Sequence, residues 1–202
     1  MRIEIPLFDG FDELDVIGPF EVLQNAAAAG ADFSTRLVTR EPVASVTASH
    51  GLTVCPDATF SGSADVVLVP GGSWVSRNDV GVWGEVQRGE WLPLLARSAE
   101  GGALMASVCT GAMLLAYAGV IGQRRAGTHH SAWDDLAATG ATVVRDRVVD
   151  DGDLITAGGV TSGIDLALWL VERFASLSLA DQVADQMEYV RRSRPTTAPP
   201  LG

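Results

Sequence analysis

The chain has few side chains that can act as nucleophiles: two cysteines, three histidines and no lysine. Cys109 stands between the apolar run ALMASV and the helix-forming segment TGAMLLA, so the sequence places a thiol where a buried strand runs into a helix. The first N–H groups of a helix and its dipole stabilise a thiolate. The pattern predicts a nucleophilic Cys109 with a pKa below the usual value of about 8.5. The alternative is an inert buried cysteine, and Cys55 in LTVCPDAT has only that interpretation.

Three further groups could assist such a thiol. Asp15 lies at the start of a predicted helix, where a carboxylate serves as a cap, a dipole partner or an acid. Gly71 and Gly72 follow the apolar run ADVVLV and form either a simple turn or a set of backbone donors. His129 and His130 are adjacent, with a surface or capping role as the alternative to a catalytic one.

Strands and helices must position these residues, and short apolar runs alternate with helical stretches along the chain. Strands are predicted at 2–8, 33–39, 64–69, 102–108, 142–149 and 153–157, with one or two short ones before Pro56. Helices are predicted at 15–29, 80–99 (disturbed by Pro93), 110–118, 131–138, 161–174 and 179–191. We therefore expect an α/β fold, a three-layer sandwich with a mostly parallel central sheet. In such sheets ligands bind beyond the carboxyl ends of the strands, which is where Cys109 falls.

Composition excludes several classes of function. Fourteen basic residues, all arginine, stand against twenty-five acidic ones and give a net charge of −11. The lack of lysine excludes Schiff-base lysine chemistry, lysine-bound pyridoxal phosphate and a P-loop. The acidic balance argues against nucleic acid as a partner. The apolar runs are too interrupted for a membrane span, and the first residues lack a targeting pattern. We expect a cytoplasmic protein that acts on a small molecule.

Metal and cofactor sites are not expected either. Adjacent histidines cannot point the same way on one element, and no cysteine pair has zinc spacing. The segment GGVTSG (158–163) lacks the spacing of a dinucleotide-binding loop. We therefore predict no metal and no cofactor.

Four blocks of sequence resemble the DJ-1/PfpI superfamily, whose fold is related to the class I glutamine amidotransferases. The blocks are LFDGFDELDVIGPFEVL (7–23), DVVLVPGG (65–72), ASVCTGAMLLAYAGVIGQRRAGTHH (106–130) and LITAGGVTSGIDLALWLVERF (154–174). The third block marks the branch that holds isonitrile hydratases and the sensor domains of AraC-type regulators. The resemblance implies a flavodoxin-like domain over residues 1–193, followed by a disordered tail at 194–202.

The resemblance also assigns roles to site residues. It implies that Cys109 is the nucleophile and that Asp15 is the acidic residue beside it. The isonitrile hydratases carry aspartate there, whereas many other members have glutamate. Gly72 and Thr110 correspond to the two backbone donors of an anion-binding pocket, and His129 matches the histidine of the superfamily. Relatives in this branch usually have T-T-H-W where this chain has Gly127-Thr128-His129-His130.

The implied activity is hydration of an isonitrile to an N-substituted formamide through a covalent thioimidate on Cys109, with Thr110 positioning the adduct and water. Two alternatives stay open at this point: a glyoxalase- or deglycase-like activity on methylglyoxal, and a non-enzymatic redox or small-molecule sensor. An accessible low-pKa cysteine would suit the sensor, because it oxidises readily. The resemblance further implies a homodimer, often formed through the region of the first helix.

Overall fold

The computed structural model describes residues 1–192 and 194–197. The strands are β1 (Arg2–Pro6), β2 (Ser34–Thr39), β3 (Val46–Thr47), β4 (Thr53–Val54), β5 (Ala58–Thr59), β6 (Val66–Val69), β7 (Leu104–Ser107), β8 (Arg125–Ala126), β9 (Thr142–Val143), β10 (Val148–Asp150), β11 (Leu154–Ala157) and β12 (Thr196–Thr197). The helices are α1 (Glu13–Ala28), α2 (Gly81–Arg88), α3 (Leu92–Glu100), α4 (Gly111–Tyr117), α5 (Trp133–Ala138), α6 (Ser162–Phe174) and α7 (Leu177–Gln186), with a 3-10 turn at His130–Ala132.

The central sheet has eight strands in the order β12-β10-β11-β7-β6-β1-β2-β5. Every neighbouring pair is parallel except β10 and β11. Helices α1, α6 and α7 pack together on one face, and α2, α3 and α5 group around α4 on the other. The predicted three-layer α/β sandwich with a mostly parallel sheet is confirmed. All residues of β6, β7 and β11 are buried, as expected for strands covered on both faces.

The strand order determines where a ligand can bind. The chain adds β2 on one side of β1 and later returns to place β6 on the other side. This reversal opens a crevice at the carboxyl ends of β1 and β6, which is the usual ligand site of an open parallel sheet. The connections after β1, β6 and β7 all begin at this edge; the first leads into α1 and its Asp15, and the other two carry Gly71 and Cys109.

Two predicted elements are each divided in the structure. The helix predicted at 80–99 is two helices, because α2 ends at Gly89 with a φ of 72° and the buried Trp91 fills the corner between them. Pro93 then occupies the first turn of α3, where proline is tolerated. The strand predicted at 142–149 is also two: β9 pairs with β8 outside the main sheet, whereas β10 joins it.

The tail differs from the expectation of disorder in its first part. Thr196 and Thr197 form β12 and pair in parallel with β10. Arg125 supports this edge by donating from Nη1 to the carbonyl oxygen of Thr197 at 3.0 Å. Residues 198–202 of the predicted tail lie outside the described residues, and the domain boundary at residue 193 stays a prediction. Over the described part of the chain, no helix combines the length and apolar character needed to cross a membrane.

Candidate active site

Cys109 occupies the strained turn between β7 and α4. Its φ is +55°, a left-handed conformation that costs a non-glycine residue roughly 1–2 kcal/mol. Hydrogen bonds hold this conformation: the Cys109 N–H is shared between the carbonyl oxygens of Ala157 at 3.1 Å and Gly158 at 2.8 Å. The Thr128 hydroxyl donates to the Cys109 carbonyl oxygen at 2.9 Å. The Cys109 thiol therefore lies at a strand–helix turn, as the sequence predicts.

Asp15 lies in the first turn of α1, and its side chain is fully buried. The helix cap is Asp12, whose Oδ1 accepts from the Leu14 N–H at 3.2 Å. Because another residue caps the helix, Asp15 is available to the site. Its Oδ2 accepts from the Gly71 N–H at 2.9 Å, and its buried Oδ1 has no hydrogen-bond partner among the described residues.

Asp15 and Cys109 lie close enough for each group to shift the pKa of the other. Burial raises the pKa of Asp15 well above its usual range, and the charge of Asp12 raises it further. The hydrogen bonds from Gly71 and Cys109 oppose this rise without cancelling it. Because the pKa of the Cys109 thiol is also raised, the two groups together carry at least one proton at neutral pH.

The thiol pKa corrects the expectation drawn from the sequence. Burial raises the pKa of Cys109, and the charge of Asp15 raises it further. The backbone N–H groups of Thr110 and Val160 contact the sulfur and lower the pKa, but their effect is the smaller one. The predicted lowering by the helix N-terminus is thus wrong in direction, because only 6% of the residue is exposed and desolvation dominates.

The turn at Gly71–Gly72 packs directly against both reactive groups. A Cβ atom at Gly71 would lie 2.6 Å from the backbone nitrogen of Thr110, 2.7 Å from its Oγ1 and 2.8 Å from Asp15 Oδ2. Only glycine fits this space. The Gly72 N–H, predicted as an anion-binding donor, is instead bonded to Thr110 Oγ1 at 3.0 Å. Since that oxygen accepts from Gly72, the Thr110 hydroxyl proton is left for another acceptor.

His129 is half-buried and lies beside the site rather than on the sulfur. Its Nδ1 is within 2.8 Å of the Ser131 hydroxyl and accepts from the Ser131 N–H at 3.3 Å. Its ring rests against Gly159, next to the residue that accepts the Cys109 N–H. Within residues 1–192 and 194–197, no hydrogen bond joins His129 to Cys109. Burial lowers the pKa of His129, and the ring of His130 at 4.1 Å lowers it further, so the imidazole is neutral at pH 7.

Comparison with known proteins matches residues 1–173 to the DJ-1/PfpI family. The chain belongs to this family. It is 37% identical over 191 residues to an isonitrile hydratase of Pseudomonas putida, covering 94% of this chain and 78% of that one. It is 28% identical over 189 residues to the Parkinson disease protein 7 homolog of Danio rerio, covering 90% and 94%. A solved THiJ/PfpI family protein from Pseudomonas syringae superposes with a TM-score of 0.84 at 27% identity, covering 99% and 77%.

Sequence reasoning missed two contributors to the site of this DJ-1/PfpI protein. Asp12 holds the turn by donating its N–H to the carbonyl oxygen of Gly71 at 2.9 Å, and its charge acts on Asp15 and Cys109. An aspartate followed by an acidic residue is a typical helix start, so Asp12 could have been recognised as the cap. The Val160 N–H that contacts the sulfur comes from a loop distant in sequence, and no local pattern indicates it.

An open cavity of about 620 Å³ adjoins this site, lined by Asp12, Glu13, Leu14, His50, Leu52 and Val160. Ligand atoms of Asp12, Glu13 and His50 lie within 4.8 Å of one another, so these are the described residues best arranged for a cation. The Glu13 carboxylate is already engaged, since Oε2 lies 2.6 Å from His50 Nδ1. Although burial favours its protonated form, the hydrogen bonds from His50 lower the pKa of Glu13 to about 2. Glu13 and His50 form an ion pair beside Asp12, the cap of α1.

Proposed function

We propose that this DJ-1/PfpI protein is an isonitrile hydratase, which converts R–N≡C and water to R–NH–CHO. The observation that carries the proposal is the burial of Asp15 beside Cys109, which raises the pKa of both groups and so favours a proton beside the nucleophile. An isonitrile carbon must accept both a nucleophile and a proton, and this pair supplies both from one place. Similarity to the Pseudomonas putida isonitrile hydratase supports the same activity.

In the first half of the proposed reaction, the reactive form of the pair is a Cys109 thiolate beside a protonated Asp15. The sulfur attacks the terminal isonitrile carbon and forms the S–C bond. Asp15 gives its proton to the same carbon, and the product is a thioimidate, R–N=CH–S–Cys109. Asp15 is left as a carboxylate in contact with the adduct.

In the second half, the Asp15 carboxylate takes a proton from water while the oxygen attacks the thioimidate carbon. That proton passes to the nitrogen, which gives R–NH–CH(OH)–S–Cys109. The hydroxyl proton then returns to Asp15 as the C=O bond forms and the C–S bond breaks. The products are the formamide and the original pair, so atoms and charge balance. In this proposal the Thr110 hydroxyl binds the nitrogen or the water during these steps.

The assay measures formamide released from cyclohexyl or p-nitrophenyl isocyanide. The chain contains its own matched control, because Cys55 is exposed and lies outside the site. We expect turnover by the wild type and by Cys55→Ala, and none above buffer by Cys109→Ala. Failure of the wild type to produce formamide, or equal activity in Cys109→Ala, would refute the proposal.

The arrangement of His129 bears on the glyoxalase-like alternative. That activity draws on a set of cysteine, acid and histidine, and here Nδ1 of His129 is bonded to Ser131. Asp15 in place of glutamate points away from it as well. Lactate formation from methylglyoxal that requires both Cys109 and His129 would favour the alternative over the hydratase.

We further propose that the protein is a homodimer in solution, formed through the region of α1. The resemblance to family members implies this state. In support, the cavity at the start of α1 is open, and the apolar Leu52 on its rim is 44% exposed. Light scattering should give twice the mass of the 21.2 kDa chain, and a monomer mass would contradict the proposal.

A further inference from the structure

The turn that presses on Asp15 and Thr110 is fixed on both sides. Besides the bonds from its N–H groups, the Gly71 carbonyl accepts from Asp12 and the Gly72 carbonyl accepts from the Val82 N–H, each at 2.9 Å. The next residue, Ser73, has a φ of +51°. A left-handed serine is unfavourable and persists only where its surroundings hold it. Whatever anchors the chain after Ser73 therefore adds a further constraint on the position of Gly71 and Gly72.

That anchor is an aromatic cluster around Arg77. The guanidinium carbon of Arg77 lies 4.5 Å from the ring centre of Trp74 and 4.1 Å from that of Trp83. The two indole rings meet edge to face, 5.3 Å apart. Arg77 itself has a φ of +51°, so the segment contains a second left-handed residue within five positions. Cation–π contacts of this kind hold the guanidinium over the rings.

A single carboxylate connects the cluster to the opposite wall of the site. Asp135 Oδ2 accepts from Trp74 Nε1 at 2.5 Å and from Arg77 Nη2 at 2.5 Å. Asp135 lies in the first turn of α5, directly after the segment that carries His129. Hydrogen bonds to a charged acceptor are the stronger ones, and Trp74 is only 2% exposed.

We propose that Asp135 is a positioning residue, which acts through Trp74 and Arg77 to hold the Gly71–Gly72 turn against Asp15 and Thr110. Asp135 and Arg77 are each 39% exposed in their side chains, so their ion pair contributes little to global stability. Its effect is local, because the strained segment between Gly72 and Arg77 has no other charged anchor among the described residues. The catalytic part of this inference rests on the proposed hydratase activity.

The test compares Asp135→Asn with Asp134→Asn, its exposed neighbour in the same turn of α5. Both variants lose one negative charge, but only Asp135 contacts Trp74 and Arg77. Amide hydrogen exchange at Gly71 and Gly72 should accelerate roughly tenfold in Asp135→Asn and remain unchanged in Asp134→Asn. Turnover of p-nitrophenyl isocyanide should show a kcat about tenfold lower with KM within about twofold, because the acid is displaced while the binding surface remains.

Arg77→Gln removes the ion pair with Asp135 from its other end and leaves the bond from Trp74 in place. If the contacts of Asp135 act as a unit, the double variant Arg77→Gln/Asp135→Asn should be no worse than Asp135→Asn alone. Unchanged exchange at Gly71 and Gly72, or equal effects in Asp134→Asn, would overturn the inference. A wild type without isonitrile turnover would instead refute the proposed function, and the exchange measurement would still decide the role of Asp135.

Discussion

Replacement of Gly71 by alanine tests the packing at the centre of the site. The backbone of Gly71 lies outside the left-handed region, so alanine brings no conformational penalty there. Its Cβ, however, would lie 2.6–2.8 Å from Thr110 and Asp15 Oδ2, whereas ordinary contacts begin near 3.4 Å. These atoms must separate by about 0.6–0.8 Å, and overpacking of this kind costs roughly 1–3 kcal/mol.

Displacement of the acid should matter more to activity than to stability. A shift approaching 1 Å at reacting groups costs on the order of 100-fold in rate. We expect Gly71→Ala to fold with a Tm lower by about 2–12 °C and to lose on the order of 100-fold in kcat/KM for p-nitrophenyl isocyanide. The loss should be in kcat.

Gly101→Ala is the matched control for this experiment. Gly101 caps α3 with a φ of −74°, and a Cβ there meets only carbonyl oxygens at 3.2 and 3.4 Å. This variant should keep the activity and the Tm of the wild type. A folded Gly71→Ala enzyme with kcat/KM within threefold of the wild type would refute the packing described for Asp15 and Thr110.

Two further predictions concern charge. Because the folded-state pKa of Asp15 is raised, its contribution to stability is fully present below the unfolded pKa of about 3.9 and is lost as pH rises toward the folded value. Asp15→Asn should therefore have a higher Tm than the wild type at pH 8 but not at pH 4, and it should lose turnover. Thermal melts that show the opposite dependence on pH would contradict this. Asp12→Asn keeps a cap for the Leu14 N–H but removes a charge that raises the pKa of both Asp15 and Cys109. The pH profile of Cys109 alkylation by iodoacetamide should therefore move to lower pH, while the Tm stays unchanged. Asp12→Ala should in addition destabilise the fold by about 1 kcal/mol, and an unmoved alkylation profile in both variants would show that Asp12 acts only as a cap.

The sequence predicts the position of the thiol well, because its signal is local. A buried strand next to a helix-forming segment places Cys109 at the sheet edge, and glycines after β6 place the opposing turn there too. The helix start at Asp12 was within reach of the capping rules, but Asp12 and Asp15 both satisfy them. Only the fold distinguishes the residue that caps α1 from the one that contacts the sulfur.

Other properties of the site depend on packing that no local pattern encodes. The direction of the Cys109 pKa shift follows from burial and from contact with Asp15, which lies 94 positions away in the chain. The bond between the Gly72 N–H and Thr110 Oγ1 likewise joins two loops. The division of the predicted helix at 80–99 is a different case, because Gly89 and Pro93 are local signals for a helix end and a helix start, and only the burial of Trp91 between them depends on packing.

In the proposed mechanism, Cys109 forms a covalent adduct with the isonitrile. The direct measurement is acid quenching during turnover of p-nitrophenyl isocyanide, followed by peptide mapping with mass spectrometry. We predict that the peptide containing Cys109 gains the mass of one whole isonitrile molecule, and that this gain disappears when substrate is exhausted. Formamide production with Cys109 unmodified throughout, or an adduct found only on Cys55, would contradict the mechanism.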